Sequence, residues 1–229
     1  MATSKKPKVA SNDAAIDVLV NHFKSNRYLF EGLAEGLSRD LQLNPALKPL
    51  IHSIRHRTKD PDHLRDKLVR KRAEALKAGT PFDITSSNLF EKLTDLAGIR
   101  LIHLHTSQFP EIDRAIRLAL GDLGFAITEG PIANTWDDEY RELFSKWGAT
   151  PVPRESMYTS VHYILDPQRK TPVRCELQVR TLMEEVWGEV SHTVNYPHKT
   201  TNAIVKEQLK VLARFTSGCT RLVDTIFIE

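Results

Sequence analysis

The stretch VRCELQV at residues 173–179 constrains the fold more than any other part of this chain. Its strict alternation puts Cys175, Leu177 and Val179 on one face of a strand and Glu176, Gln178 and Arg180 on the other. Three successive polar side chains are costly to bury without partners, so such a strand needs a sheet with one core face and one face open to solvent or ligand. The preceding stretch MYTSVHYIL (157–165) also alternates, and the Asp-Pro and Thr-Pro signals within 166–172 predict a hairpin between the two. IRLIHLH (99–105) predicts a further strand, and a short one is expected at 125–128.

Helical spacing surrounds these strands. Ile16, Val20 and Phe23, then Leu29, Leu33, Leu37 and Leu41, predict one amphipathic helix or a pair over 13–43, broken by Asn44-Pro45. Residues 46–56 fit either a short helix or a helix running into a strand. Asp60-Pro61 opens a helix that Gly79 closes, a helical turn is expected around 89–93, and Ile112, Ile116 and Leu120 mark another helix over 109–124. The last helices are expected at 181–196 and 200–227, while 129–156 reads as a long, Pro/Gly-punctuated connection with one or two helical turns at 137–146, and as a candidate lid. The order predicts an α/β (α+β) domain with a mixed four- to five-stranded sheet flanked by helices, spanning 13–229 after a tail at 1–12.

Composition narrows the classes that remain. A chain of 229 residues with 41% hydrophobic content supports one or two globular domains, and a net charge of +3 does not by itself announce a nucleic-acid binder. Cys175 and Cys219 form no CxxC or Cys/His cluster, which predicts a reducing, cytoplasmic compartment. No apolar run approaches the ~20 residues of a membrane span, so no membrane partner is expected.

Four constellations could carry chemistry. Asp95 precedes one strand and Glu176 lies within another; if they meet, they form the carboxylate pair that holds Mg²⁺ against phosphates. Tyr158, Ser160 and His162 share a strand face and suit a nucleobase and its sugar, although ordinary packing is the commoner role for such residues. Arg57 and Lys59, with Lys67 and Lys71 on the following helix, could grip a polyphosphate or form a solvated charged face. The helix at 181–196 has Trp187, Val190 and Val194 on an apolar face and Glu185, Glu189, His192 and Tyr196 on a polar one. His52 with His56 and His103 with His105 have suggestive spacings, but no carboxylate or Cys completes a metal site.

The spacing of these groups resembles the synthetase domain of the RelA/SpoT family over about residues 50–200. RTKDPDHLRDKL (57–68) is similar to the family's R-x-K-x-x-x-S-x-x-x-K-L, and DLAGIRLI (95–102) to its D-x-x-G-x-R. YTSVH (158–162) is similar to Y-x-S-x-H, and ELQVRTLMEEVWGEVSH (176–192) to E-x-Q-x-R-T followed by W-x-E-x-x-H. The resemblance implies a nucleotidyltransferase-like fold with additional N-terminal helices (13–49) and C-terminal helices (200–229), and transfer of pyrophosphate from ATP to the 3′-hydroxyl of GDP or GTP.

By the same resemblance, Asp95 and Glu176 would be the Mg²⁺-associated pair, with Glu176 acting on the attacking hydroxyl. Arg57, Lys59, Lys67 and Lys71 would bind ATP; Tyr158 would stack the acceptor guanine beside His162 and Gln178; Arg100, Arg180 and His192 would support the site. Alternatives are a toxin-like relative that modifies the tRNA 3′-end and a silent nucleotide-binding regulatory module. About 50 residues precede the first motif, so no hydrolase domain is expected. His63 stands in place of the motif's Ser, Met157 in place of a common Gly, and Asn195-Tyr196-Pro197 in place of a Tyr-Lys ending. The helix at 13–43 and the apolar Ile204, Leu209, Leu212, Phe215, Leu222 and Ile226 could pack on a second subunit or complete the core.

Overall fold

The computed structural model describes residues 10–195 and 200–227, so most of the tail at 1–12 and the Tyr196-Pro197 departure lie outside the described residues. The elements run α1 (Ala10–Leu43), β1 (Ser53–Thr58), α2 (Pro61–Lys77), α3 (Leu89–Lys92), β2 (Ala97–His103), α4 (Phe109–Asp122) and β3 (Ala126–Thr135). They continue with α5 (Asp138–Lys146), β4 (Thr150–Pro153), β5 (Ser160–Asp166), β6 (Cys175–Thr181), α6 (Leu182–Asn195) and α7 (Ala203–Ile226). One six-stranded sheet has the order β1-β2-β6-β5-β3-β4. The β2–β6 and β3–β4 pairs are parallel and the others antiparallel, so the sheet is mixed as expected.

The expected hairpin is the antiparallel pair β5–β6. Of the two alternatives for 46–56, the run into a strand holds, although turns rather than a helix lead into the edge strand β1. The helical turns expected at 137–146 are α5, but 129–156 is no free lid: β3 runs through it to Thr135, and a second edge strand, β4, follows α5. Tyr140 and Phe144 anchor α5 in the core, where Phe144 and Trp147 meet the Phe109 ring of α4.

The core lies on one side of the sheet. Ile99, Leu101, Val161, Tyr163, Leu165, Cys175, Leu177 and Val179 are buried together with Ile16, Phe23, Phe30, Leu37 and Leu41 of α1. α1 is one continuous helix, and the Asn44 side chain after it accepts hydrogen bonds from the Ala46 and Leu47 amides. On the opposite side, strand register lines up Arg55, Arg100, Gln178, His162 and Ile132 in one row across five strands. The adjoining row holds Arg57, Gly98, Glu176 and Ile164. α6 lies over part of this polar face, and α7 packs on α6, with the Trp187 indole donating to the Leu209 carbonyl at 3.0 Å. In α7, Leu209 and Leu212 are partly buried whereas Ile204, Phe215, Leu222 and Ile226 are exposed. No helix among the described residues is long and apolar enough to cross a membrane.

α2 carries cations to the polar face, and its start is set locally. The Asp60 carboxylate accepts from the Asp62 and His63 amides at 2.8 and 3.3 Å, and Pro61 occupies the first turn. Leu64 and Leu68 then turn inward to the core. Asp60→Ala is expected to cost about 1 kcal/mol, seen as a lower urea midpoint at unchanged m-value.

Candidate active site

A cavity of about 530 Å³ opens on the polar face. Arg57 of β1, Lys59 of the turn after it, and Lys67 and Arg70 of α2 line one side; Arg100 of β2, Gln178 and Arg180 of β6, and Trp187, Gly188 and His192 of α6 line the other. Asp95, Tyr158, His63, Asp66, Ser156, Ser191 and Asn195 complete the lining. The +3 of the whole chain thus conceals a pocket in which six Lys and Arg side chains face two carboxylates. Lys71 is the one expected donor-binding cation absent from this lining; Arg70 takes the place.

Asp95 sits in the turn before β2. Its Oδ2 accepts from Lys59 Nζ at 2.8 Å and pairs with Lys67 Nζ at 2.7 Å. Burial alone would raise the carboxyl, but the two ammonium groups outweigh it and hold Asp95 down at about 2. Its other oxygen, Oδ1, is buried without a hydrogen-bond partner. A buried carboxylate oxygen left over in this way has the chemistry to ligate a hard cation.

Glu176 lies in β6 beside Gly98, on the edge of a second cavity of about 220 Å³ that also takes in His162, Asn134, Arg154, Glu129 and Thr94. His162 Nδ1 lies 3.0 Å from Glu176 Oε1, and Gln178 Nε2 donates to Oε2 at 2.7 Å. Burial pushes the Glu176 carboxyl up, but the His162 and Gln178 hydrogen bonds outweigh it and leave it below the usual range. An ionised carboxylate only accepts, so Nδ1 carries a proton, and Nε2 on the far side of the ring lies 3.0 Å from the Tyr158 hydroxyl. Tyr158, His162, Glu176 and Gln178 therefore form one hydrogen-bonded chain between the two cavities.

Asp95 and Glu176 come close enough for the Asp95 charge to oppose ionisation of Glu176. Among the described residues no group of three His, Cys, Asp or Glu gathers to hold a metal. Such a pair suits an ion that takes its remaining ligands from phosphates and water, as Mg²⁺ does. His52, His56, His103 and His105 form no metal centre; buried His103 is held neutral by desolvation, at about 4, with Nδ1 against the His105 carbonyl at 2.9 Å.

The expected supporting residues fall under α6. Arg100 pairs with Glu185 at 3.2 Å and with Glu189, Arg180 pairs with Glu185, and His192 lines the cavity, its proton disfavoured by burial and then by the Arg57 charge. Sequence reasoning placed Glu185 on the polar face of its helix but gave it no task. It also missed Arg154, whose guanidinium is held on Asn134 Oδ1 at the second cavity. Met157, in place of a common Gly, has φ +59°, a left-handed backbone that favours glycine.

The fold, a mixed sheet flanked by helices, is similar to that of solved small alarmone synthetases. Small alarmone synthetase 1 from Bacillus subtilis shares it at 19% identity, over 89% of this chain and 96% of that one, with a TM-score of 0.61. Small alarmone synthetase 2 from the same organism matches at 16% identity over 89% and 97%, with a TM-score of 0.59. A GTP pyrophosphokinase family protein from Streptococcus pneumoniae matches at 16% over 96% and 94%, with a TM-score of 0.55. No curated protein matches in sequence. Residues 56–201 match the region found in RelA / SpoT proteins, and the chain belongs to that family.

Proposed function

We propose that this chain transfers the terminal pyrophosphoryl group of ATP to the 3′-hydroxyl of GDP or GTP, making (p)ppGpp. The observation that carries this reading is Glu176: an ionised carboxylate at the second cavity, held on both oxygens by His162 and Gln178, the latter of which also lines the large cationic cavity. Each Glu176 oxygen keeps a lone pair for an incoming hydroxyl. The acceptor's 3′-oxygen attacks the β-phosphorus of ATP, its proton passes to Glu176, and the bond to the α-phosphate oxygen breaks to release AMP.

Arg57, Lys59, Lys67 and Arg70 would neutralise the donor's phosphates from β1 and α2, a task of positioning and charge rather than covalent chemistry. Tyr158 would stack the acceptor base, with its hydroxyl fixed by His162. Asp95, through its unpartnered Oδ1, and Glu176 would hold Mg²⁺. When bound, the ion supplies charge neutralisation on the transferring phosphates. Small alarmone synthetase 1 from Bacillus subtilis has been solved bound to its product pppGpp and to AMPCPP, which supports a nucleotide donor and acceptor here.

Incubating the protein with ATP labelled in the γ-phosphate, Mg²⁺, and GDP, GTP or tRNA in parallel tests the reading. Labelled guanosine tetra- or pentaphosphate is the expected product. Label found only on tRNA, or on no acceptor, overturns it.

A further inference from the structure

Glu185 lies on α6 at 4% exposure, and its carboxylate gathers guanidinium groups from three strands. Arg180 of β6 pairs with Oε2, while Arg100 of β2 and Arg55 of β1 approach Oε1 at 3.2 and 3.4 Å. Arg180 is itself only 3% exposed. It occupies space that Gly188 leaves open one turn along α6, where an added Cβ would fall 2.7 Å from Arg180 Nη1.

Arg100 and Arg180 both line the large cavity. The Nε of each makes no hydrogen bond, so the carboxylates of α6 are what fix the direction of these two groups. Each guanidinium is held through one nitrogen, Nη1 of Arg100 and Nη2 of Arg180, and its rigid planar fork leaves the remaining N–H donors for a ligand. Without Glu185, three like charges from adjoining strands would repel, and Arg180 would be a buried cation with no counter-charge from this residue.

We propose that Glu185 is the positioning residue of the anion-binding wall. Together with the gap at Gly188, it sets Arg100 and Arg180 so that they receive a polyphosphate. The inference rests on the proposed function for the nature of that ligand.

Calorimetry with inorganic triphosphate as the probe tests it on the full chain. Glu185→Gln and Gly188→Ala are each expected to weaken triphosphate binding about tenfold or more, and Glu185→Asp to recover part of that loss. In the acceptor assay both variants should raise KM for ATP more than they lower kcat, a split that loss of stability alone would not produce. Melting temperatures identify variants that have lost their fold. If Glu185→Gln has, Gly188→Ala decides, because it displaces Arg180 without removing a charge. Folded variants that bind triphosphate as wild type does overturn this inference alone. Wild-type protein that binds no triphosphate overturns the proposed function and this inference with it.

Discussion

Replacing Glu176 with Gln should lower kcat by about 10²–10⁴-fold, the usual contribution of a positioned general base. The substitution is close to isosteric. The amide oxygen can accept from His162 Nδ1 as Oε1 does now at 3.0 Å, and Gln178 can turn its own amide to offer oxygen rather than nitrogen to the new NH₂. Stability and ATP affinity should therefore stay near wild type while transfer fails. Single-turnover kinetics alongside binding of a non-hydrolysable ATP analogue separates the two quantities. A variant that keeps wild-type kcat removes Glu176 from the chemistry.

Asp95→Asn should show a different pattern. The substitution takes away the anion that pairs with both Lys59 and Lys67, and it leaves Glu176 as the only charge of the carboxylate pair for a cation. Mg²⁺-dependent transfer should fall by about 10² or more. Metal-free triphosphate, by contrast, should bind at least as well as to wild type, because the two ammonium groups no longer have a resident carboxylate. Weaker binding of metal-free triphosphate would show that Asp95 supports the lysines rather than competing with the ligand for them.

The same residue has a signature in acid. Its carboxyl is held at about 2 against an ordinary 3.8, so its contribution to stability is complete above about pH 5 and is lost progressively as pH falls through about 2. That contribution is about 2 kcal/mol. Urea unfolding between pH 5 and 2 should show wild type losing this amount relative to Asp95→Asn, with the difference flat above pH 5.

Much of this was legible because the informative strands alternate. Glu176, Gln178 and Arg180 had to share a face, and their sequence neighbours Cys175, Leu177 and Val179 had to be core. Where alternation is masked, the reading failed. β1 carries Arg55, His56 and Arg57 in succession, so its alternation is hidden and the stretch fitted a helix as well as a strand. β4 contains Pro151 and Pro153, which punctuate a loop in sequence but are tolerated in a strand that pairs on one side only.

Arg70 and Lys71 illustrate a subtler limit. Both fit a helical face with Lys67, by three and four residues, and only the seating of Leu64 and Leu68 in the core fixes which of them turns toward the cavity. The task of Glu185 was out of reach for a similar reason. Its partners come from three separate strands, and no local spacing records their convergence.

The parallel pairing of β2 with β6 bears on how such a protein can diversify. Because the two strands run in the same direction, Asp95 just ahead of one and Glu176 near the start of the other arrive at the same end of the sheet. Between them, β3, α5 and β4 form a detour to one edge of the sheet that returns through β5 to a fixed address. Such a detour can lengthen, shorten or change its surface without altering the spacing of the two carboxylates. The second cavity, bordered by Arg154 and Asn134 of that detour, can thereby change its walls while Asp95 and Glu176 stay in register.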